Sequence, residues 1–277
     1  MAIGKVNGID WANVAKVDGI STGDIASVAG IDAPSAASSI VTDNLVLDWG
    51  ADNVSGTNVV EKQGTGYDMA MSNGASITTY QGALSMSTDG VNDRFLAQVP
   101  QTFLSGVYWP ITIESWQYYG ANSNLLGAAV INDAPDGVDW FRQHVDGRVG
   151  STNRTWGQFY TYSGGRYVLA LKSNAFSNNG WQHIVTTVEK SGTQNVVKHY
   201  VNGTLAVSAT STYGEPYSST MPWSEGSGVI NFSVGCLIRS SPSYYRSEVG
   251  EFRLYGDLLT TSEITQNFDA KKANYGL

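Results

Sequence analysis

The chain has 277 residues, a formal net charge of −8 and charged residues at 14% of its length, against about 25% in an average globular domain. Its 31 glycines indicate turn-rich β structure. The excess of acidic residues gives an electric field that repels the phosphates of nucleic acid, so nucleic acid is not an expected partner. No apolar run approaches the ~20 residues of a membrane-inserted helix, so insertion into a membrane is not expected either.

The first predicted elements are three repeats within residues 1 to 32. The segment Gly4-Lys5-Val6-Asn7-Gly8-Ile9 recurs in residues 15 to 20 and again in residues 26 to 31, at a spacing of eleven residues. Asn-Gly and Asp-Gly pairs favour tight reversals of the chain. Each repeat is therefore predicted to be a short strand, a turn and a second short strand. The turn glycines are Gly8, Gly19 and Gly30.

These repeats have too few apolar residues to build a core of their own. Their apolar positions are Ile3, Val6, Ile9, Val14, Val17, Ile20, Ile25, Val28 and Ile31. We predict that they form an arm that buries these residues on another surface and anchors the chain there. An N-terminal strand extension of the main domain is the alternative. Residues 33 to 43 are predicted to be a linker because they begin with small and turn-forming residues.

Residues 44 to 277 are predicted to form one domain of short strands. Apolar and polar residues alternate with period two in residues 111 to 116, as in a half-buried strand. Asn202-Gly203 predicts a hairpin turn, and Phe252 and Leu254 are expected on one face of a late strand. Thr260 and Glu263 form a capping-box pattern that predicts a helix over residues 261 to 273. Many strands and one late helix indicate a two-sheet sandwich.

Six segments of this region, taken in chain order, resemble the laminin-G-like, concanavalin A-like lectin/glucanase family. The segments are residues 45 to 49, 87 to 95, 111 to 116, 181 to 185, 200 to 203 and 250 to 268. The resemblance implies an all-β fold, a concanavalin A-like jelly-roll sandwich of two antiparallel sheets with a short C-terminal helix. It is closest to copies of this domain in structural proteins of tailed bacteriophages, and the arm resembles arms of such proteins, cyanophages among them.

The resemblance implies a non-enzymatic structural protein at the surface of a virion, as a capsid decoration or cement protein or a head or tail fibre. Its expected partners are other virion proteins and copies of itself, in a homo-oligomer such as a trimer. The alternative function is a carbohydrate-binding adhesin that recognises glycans on the host surface.

Catalysis is not predicted. Glucanase relatives carry a compact Glu-x-Asp-x-Glu strand motif that this chain lacks. Glu248 and Glu251 are the nearest pair, and their spacing predicts opposite faces of a regular strand, as solvated carboxylates at an edge. A zinc site would need all three histidines, His144, His183 and His199, to converge. His183 is instead predicted to cap or pack, and His199 to lie at the surface or an interface.

No cofactor is predicted, with calcium as the alternative. Asp89 and Asp93 offer oxygen ligands on one loop. A second loop offers Asn132, Asp133, Asp136 and Asp139. Neither loop has the spacing of a helix-loop-helix calcium site, and Asp and Asn also build turns without any metal. The single cysteine, Cys236, lies in an apolar run and is predicted to be a small buried residue.

Aromatic residues concentrate in two regions that are candidates for binding. The candidates are Trp140, Trp156, Tyr160, Tyr162, Trp223, Tyr244 and Tyr245. Three interpretations stay open at this point: sugar rings stack on these side chains, a protein partner packs on them, or they pack on their own sandwich.

Overall fold

A computed structural model of the chain describes most of it beyond residue 38 and short strands before that point. The described residues are 5–6, 9–10, 16–17, 20–21, 27–28, 31–32, 39–104, 107, 110–121, 124–133, 139–148, 153–161, 166–176, 178–191, 194–210, 228–238 and 241–277. The chain divides into two compact units, residues 1–40 and residues 41–277.

The first unit contains three two-stranded antiparallel pairs. They are β1 (Lys5–Val6) with β2 (Ile9–Asp10), β3 (Lys16–Val17) with β4 (Ile20–Ser21), and β5 (Ser27–Val28) with β6 (Ile31–Asp32). The predicted strand-turn-strand repeat is therefore confirmed at the level of strand pairing. The turn glycines Gly8, Gly19 and Gly30 lie outside the described residues, as do Ile3, Val14 and Ile25. The side chains of the other six apolar positions of the arm also lie outside them.

The second unit begins with seven strands and one helical turn. In chain order they are β7 (Leu45–Gly50), β8 (Val54–Ser55), β9 (Asn58–Val59), β10 (Met69–Ser72), β11 (Ser76–Tyr80), β12 (Ala83–Asp89), β13 (Arg94–Pro100) and α1 (Gln101–Leu104). Eight longer strands follow: β14 (Ile111–Tyr119), β15 (Leu126–Asp133), β16 (Asp139–Asp146), β17 (Arg154–Thr161), β18 (Arg166–Ser173), β19 (Gly180–Ser191), β20 (Gln194–Val201) and β21 (Thr204–Thr210). The unit ends with β22 (Val229–Val234), β23 (Cys236–Leu237), β24 (Ser243–Tyr244), β25 (Arg246–Tyr255), α2 (Thr261–Lys271) and a 3₁₀ turn (Lys272–Tyr275).

These strands form two large antiparallel sheets. The nine-stranded sheet has the order β18-β17-β16-β15-β22-β13-β10-β9-β8 among the described residues. The eight-stranded sheet has the order β11-β12-β25-β14-β19-β20-β21, and β7 also pairs with β25. The inner faces meet in one apolar core that includes Trp49, Phe95, Phe141, Phe232 and Phe252. The predicted all-β jelly-roll sandwich is confirmed.

Two local predictions are confirmed in detail. Asn202 and Gly203 have φ angles of 49° and 77° and connect β20 to β21, as a two-residue turn with left-handed residues requires. The Thr260 side chain accepts a hydrogen bond from the Glu263 backbone N–H, and the Glu263 side chain accepts one from the Thr260 backbone N–H. This reciprocal capping box begins helix α2.

The outer face of the eight-stranded sheet is covered, which the sequence did not predict. All nine residues of β14 are buried, although alternation predicted a half-buried strand. The outward-facing Trp116 stacks on Tyr275 at a centroid distance of 4.1 Å and lies 5.9 Å from Phe268 of α2. Helix α2 and the turn after it therefore bury a face that alternation alone assigns to solvent. Val41, at the end of the predicted linker, belongs to the same packing because its backbone N–H donates to Asn267 Oδ1.

Among the described residues, no helix has the length and apolar character needed to cross a bilayer.

Candidate functional site

The outer face of the nine-stranded sheet carries a cluster of aromatic and charged side chains on β16 and β17. Phe141 and Phe159 point into the core between the sheets, so His144 and Asp146 on β16 and Trp156 on β17 point outward, because side chains alternate along a strand. His144 lies directly opposite Trp156 in the ladder, and Asp146 lies opposite Arg154. Strand register therefore brings these four side chains together.

His144 supports two aromatic rings at this site. Its ring centroid lies 4.7 Å from that of Trp156 and 5.7 Å from that of Tyr245. His144 Nδ1 lies 3.1 Å from the carbonyl oxygen of Gly127, which can only accept, so Nδ1 donates. Burial lowers the pKa of His144 to about 4. The imidazole is therefore neutral near pH 7, and it fixes the half-buried Trp156 ring without adding charge.

Asp146 holds two arginines beside the Trp156 ring. Its carboxylate accepts hydrogen bonds from Arg148 Nε and Nη2, both at 2.9 Å, and from Arg154 Nε at 3.1 Å. Burial alone would raise the pKa of Asp146, but hydrogen bonds from Arg148 and Arg154 outweigh burial and lower it. The Arg154 guanidinium carbon lies 5.4 Å from the Trp156 ring centroid, which is within cation–π range. We refer to His144, Asp146, Arg148, Arg154, Trp156 and Tyr245 as the Trp156 site.

The Trp156 site combines the two kinds of group that sugar-binding surfaces need. The partly exposed Trp156 indole offers apolar surface, and the arginine N–H groups beside it offer hydrogen-bond donors. The Arg148 and Arg154 side chains are 47% and 37% exposed, whereas Asp146 is fully buried. Solvent therefore meets the donors and the ring, and the carboxylate lies beneath them.

The structure brings together part of the predicted aromatic set. Trp156 and Tyr245 meet at His144, and Tyr244 is half-buried on β24 beside Tyr245. Trp140 and Tyr160 lie on β16 and β17, but their side chains are outside the described residues. Tyr162 and Trp223 lie outside those residues altogether.

Sequence reasoning missed most of the polar members of this site. In the sequence, His144 stands out only as a candidate zinc ligand, and Asp146, Arg148 and Arg154 belong to no recognised motif. The available signal was local: Asp146 and Arg148 are two residues apart, and so are Arg154 and Trp156. This spacing places Arg154 and Trp156 on one face of β17, and Arg148 reaches Asp146 from the segment just after β16.

The predictions for Glu248 and Glu251 were wrong. Both residues are buried, at 3% and 4% exposure, on a central strand rather than at an edge. They also share the outer face, because the register of β25 against β14 shifts at Gly250 and places Val249 and Phe252 both in the core. A bulge of this kind changes the face on which the following residues lie. Glu248 accepts hydrogen bonds from the Ser85 and Ser87 hydroxyls.

Glu251 belongs to a buried ionic cluster under helix α2. The Arg253 guanidinium donates to Asp48, Glu114 and Glu251, and Lys271 of α2 donates to Glu251 at 2.8 Å. We refer to these five residues as the Arg253 cluster. Burial acts to raise the pKa of Glu114, but the charge of Arg253 and the neighbouring His183 outweigh burial and lower it to about 2. A general acid of a glycosidase needs the opposite shift.

The three histidines occupy three separate places. His183 is buried between Trp116 and Phe268, which confirms the prediction that it packs. His199 is fully buried between the sheets, and the prediction of a surface or interface position was wrong. Its ring nitrogens pair with the hydroxyls of Thr155 and Thr186, at 2.9 and 2.8 Å, because β20 turns this residue inward.

Burial lowers the pKa of His199 to about 3. The convergence that a zinc site requires is not formed, and no three His, Cys, Asp or Glu side chains in the described part of the chain are placed to hold a metal ion.

The acidic loop at Asp89 and Asp93 forms a turn. Asp89 Oδ1 accepts the Val91 backbone N–H at 2.7 Å, and Asp93 Oδ2 accepts the Asp89 backbone N–H at 3.1 Å. Calcium binding at this loop stays the alternative to the prediction of no cofactor. In the second loop, Asp136 lies outside the described residues, as do the side chains of Asn132, Asp133 and Asp139.

Cys236 is fully buried, as predicted, and burial raises the pKa of its thiol to about 11. The thiolate that reacts with oxidants and metals is therefore scarce at neutral pH.

A pocket of about 320 Å³ opens on the side of the molecule that carries the Arg253 cluster. Its walls are formed by Ala51, Asp52, Gly82, Ala83, Leu84, Gly250, Glu251, Asn274 and Tyr275. Both acidic groups of this pocket are already paired, Asp52 with Lys62 and Glu251 with Arg253 and Lys271.

The two sheets and their register define the class of protein, a lectin-like jelly roll. Residues 92–265 match the family described as the concanavalin A-like lectin/glucanases superfamily. This match covers more than half of the chain, and the chain therefore belongs to that superfamily. No curated protein matches the chain with significant sequence similarity.

Solved structures with the same fold include binding domains of toxins and an enzyme. The binding domain of botulinum neurotoxin DC, in complex with rat synaptotagmin II, is 13% identical with a TM-score of 0.54 and covers 82% of this chain. The same neurotoxin domain in complex with SialylT is 14% identical with a TM-score of 0.53 and covers 83%. A Trypanosoma rangeli sialidase in complex with 2,3-difluoro-KDN is 15% identical with a TM-score of 0.57 and covers 90%.

These likenesses extend over only part of each solved structure. The chain spans 51% and 52% of the two neurotoxin chains and 35% of the sialidase chain. At such identities the likeness shows the fold.

Proposed function

We propose that this protein binds carbohydrate at the Trp156 site and does not catalyse its cleavage. The observation that carries the proposal is the partly exposed Trp156 ring on the outer face of the nine-stranded sheet, which packs against His144 and lies beside the Arg154 and Arg148 guanidinium groups held by Asp146. Apolar faces of sugar rings stack on aromatic side chains, and the hydroxyls around each ring accept hydrogen bonds from donors beside it.

Membership of a lectin and glucanase superfamily supports binding of carbohydrate. Two of the solved structures with this fold are described as complexes with the sugar-type ligands SialylT and 2,3-difluoro-KDN. Binding is favoured over hydrolysis because Glu114 and Glu251 are tied to Arg253 beneath helix α2, on the face opposite the Trp156 site.

The test is a glycan array probed with the full chain, followed by titration of the strongest ligand. Trp156→Ala should weaken binding at least tenfold, about 1.4 kcal/mol, because it removes the stacking surface. Leu205→Ala is the matched control, since it removes an exposed apolar side chain from the other sheet. Absence of any glycan ligand, or equal affinities for the two variants, would contradict the proposal.

A second function is favoured by the arm. Three antiparallel strand pairs recur at eleven-residue spacing in residues 1–40. We propose that this arm anchors many copies of the chain to a preformed surface, such as the capsid or tail of a virion, through strand pairing and apolar contacts. Multiple copies of a weakly binding arm would hold firmly through avidity.

Deletion of residues 1–39 tests this second function. The shortened chain should be lost from purified particles. Normal incorporation of the shortened chain into particles would contradict the anchoring role.

A further inference from the structure

We propose that the carbohydrate bound at the Trp156 site carries a carboxylate, as uronic and sialic acids do, and that Arg148 and Arg154 bind this group. The inference rests on the proposed carbohydrate-binding function and specifies its ligand. The charge, the exposure and the orientation of the two guanidinium groups support it.

The Trp156 site has a local excess of positive charge. Two guanidinium groups share one buried carboxylate, Asp146, which keeps its negative charge because Arg148 and Arg154 donate to it. One positive charge therefore remains in excess among these three groups. The chain as a whole has a formal net charge of −8. A cationic surface on an acidic protein attracts an anionic ligand as it approaches and pairs with its charge once it is bound.

Asp146 also leaves part of each guanidinium available to a ligand. A guanidinium has five N–H donors in a plane. Asp146 accepts two of these from Arg148 and one from Arg154, and both side chains stay exposed, at 47% and 37%. The buried carboxylate thus acts as a positioning residue that orients both planes and leaves their outer edges toward solvent.

The geometry favours a carboxylate attached directly to a sugar ring. Arg154 lies 5.4 Å from the Trp156 ring centroid, so an acidic group on a sugar stacked over the indole is within reach of the guanidinium. A planar carboxylate matches the arginine fork with two parallel hydrogen bonds. Arg148 lies close enough to Tyr245 to interact with it electrostatically, which places the second cation on the Tyr245 side of the site.

Titration calorimetry of the full chain with matched sugar pairs tests the inference. The probes are 3′-sialyllactose against lactose, and oligogalacturonate against its methyl ester. Each acidic sugar should bind at least tenfold more tightly than its neutral partner, and a rise in salt should reduce this difference. Preference for one acidic sugar over the other then identifies the source of the carboxylate.

Arg148→Gln and Arg154→Gln should each lower the preference for the acidic sugar over its neutral partner about tenfold, because glutamine keeps a donor for sugar hydroxyls but loses the positive charge that pairs with a carboxylate. Lys272→Gln is a matched control, because Lys272 also pairs with an aspartate and lies 5.6 Å from an aromatic ring, but in the 3₁₀ turn after helix α2, on the side of the other sheet. It should leave both affinities unchanged.

The outcomes separate this inference from the proposed function. Equal binding of acidic and neutral sugars, with loss of both in Trp156→Ala, would overturn the carboxylate inference and leave carbohydrate binding in place. Equal effects of Arg154→Gln and Lys272→Gln on the acidic sugar would overturn the inference as well. Failure of every sugar to bind would overturn both.

Discussion

Arg253 shows how burial turns one side chain into a structural requirement. Its guanidinium is fully buried and donates to the carboxylates of Asp48, Glu114 and Glu251, which are themselves buried. Buried ion pairs add little net stability compared with an apolar core, since removing charges from water is costly. Removal of one partner of a buried ion pair strongly lowers stability, because the charges that remain are buried without a charge of opposite sign beside them.

Arg253→Met is therefore expected to lower the free energy of unfolding by about 3–5 kcal/mol. Lys198→Met provides the matched control, since Lys198 makes a single, partly exposed ion pair with Glu189 and should cost less than about 1 kcal/mol. Urea denaturation of both variants measures the difference. Similar losses in the two variants would show that the Arg253 cluster is not a coupled buried network.

The two buried neutral histidines give stability a defined dependence on pH. The pKa of His144 falls from an ordinary value of 6.5 to about 4, and that of His199 falls to about 3, in both cases through burial. Below pH 6.5 the unfolded chain binds protons that the folded chain does not, so the free energy of unfolding falls as the pH falls toward these values.

Between pH 6.5 and pH 5 the two histidines together should reduce the free energy of unfolding by about 3 kcal/mol. His199→Gln removes one titrating group and keeps an amide that can pair with the Thr155 and Thr186 hydroxyls. The variant should lose about half as much stability over this range, as measured by urea denaturation at each pH. An unchanged pH dependence in His199→Gln would contradict the buried neutral state of this residue.

At the scale of elements, the contact between β17 and the opposite sheet depends on a glycine. Gly157 faces β19 and β20, and a Cβ atom there would lie 2.5 Å from Thr186 Oγ1 and 3.1 Å from His199 Nδ1. The Thr186 hydroxyl is also bound to Gln143 Nε2 at 3.0 Å, so it is not free to move aside. The close approach of the two sheets at this point therefore requires a residue without a side chain.

Gly157→Ala should lower the free energy of unfolding by about 1–3 kcal/mol through overpacking. Gly180→Ala is the matched control, because Gly180 also lies in a strand, but a Cβ atom there meets only Gln182 Nε2, at 3.8 Å. The control should be neutral or slightly stabilising. Thermal unfolding of the two variants measures the difference. Equal melting temperatures would show that the sheets can move apart at Gly157 without loss of stability.

The sequence predicts those elements whose signals are local. Asn202-Gly203 and the Thr260–Glu263 capping box each depend on residues a few positions apart, and both form as expected. The bulge at Gly250 and the burial of both faces of β14 depend on contacts between distant strands and with α2. The alternation of apolar and polar residues within one strand carries no information about a bulge or about a helix that covers the sheet. The strand faces of Glu248 and Glu251 were therefore predicted wrongly.

The candidate site was predictable only in part for the same reason. Trp156 and Tyr245 stood out as aromatic residues near turns, but their meeting at His144 follows from the register of β16 against β17 and from the path of the chain after β24. Inward burial of His199 likewise depends on the packing of two sheets. Residue types indicate which side chains can stack or donate hydrogen bonds, whereas pairing between distant strands decides which of these side chains come into contact.

At the scale of the whole second unit, the two outer sheet faces have different roles. Helix α2 covers the outer face of the eight-stranded sheet, where the Arg253 cluster and the stacked Trp116 and Tyr275 rings fill the space beneath it. The outer face of the nine-stranded sheet is covered in part by β23 and the residue after β24, and it carries the Trp156 site beside that cover. We therefore expect ligands on the nine-stranded side and stability effects from substitutions under α2.

The most direct test of this account is nuclear magnetic resonance of the eight tryptophan indole N–H groups in the full chain, titrated with the strongest ligand from the glycan array. Trp156→Phe assigns the Trp156 signal by its disappearance. The account predicts that the Trp156 signal shifts on saturation and that the signals of Trp116 and Trp181, which pack against Tyr275, stay in place. A Trp156 signal that does not move, with shifts confined to Trp116 and Trp181, would contradict it.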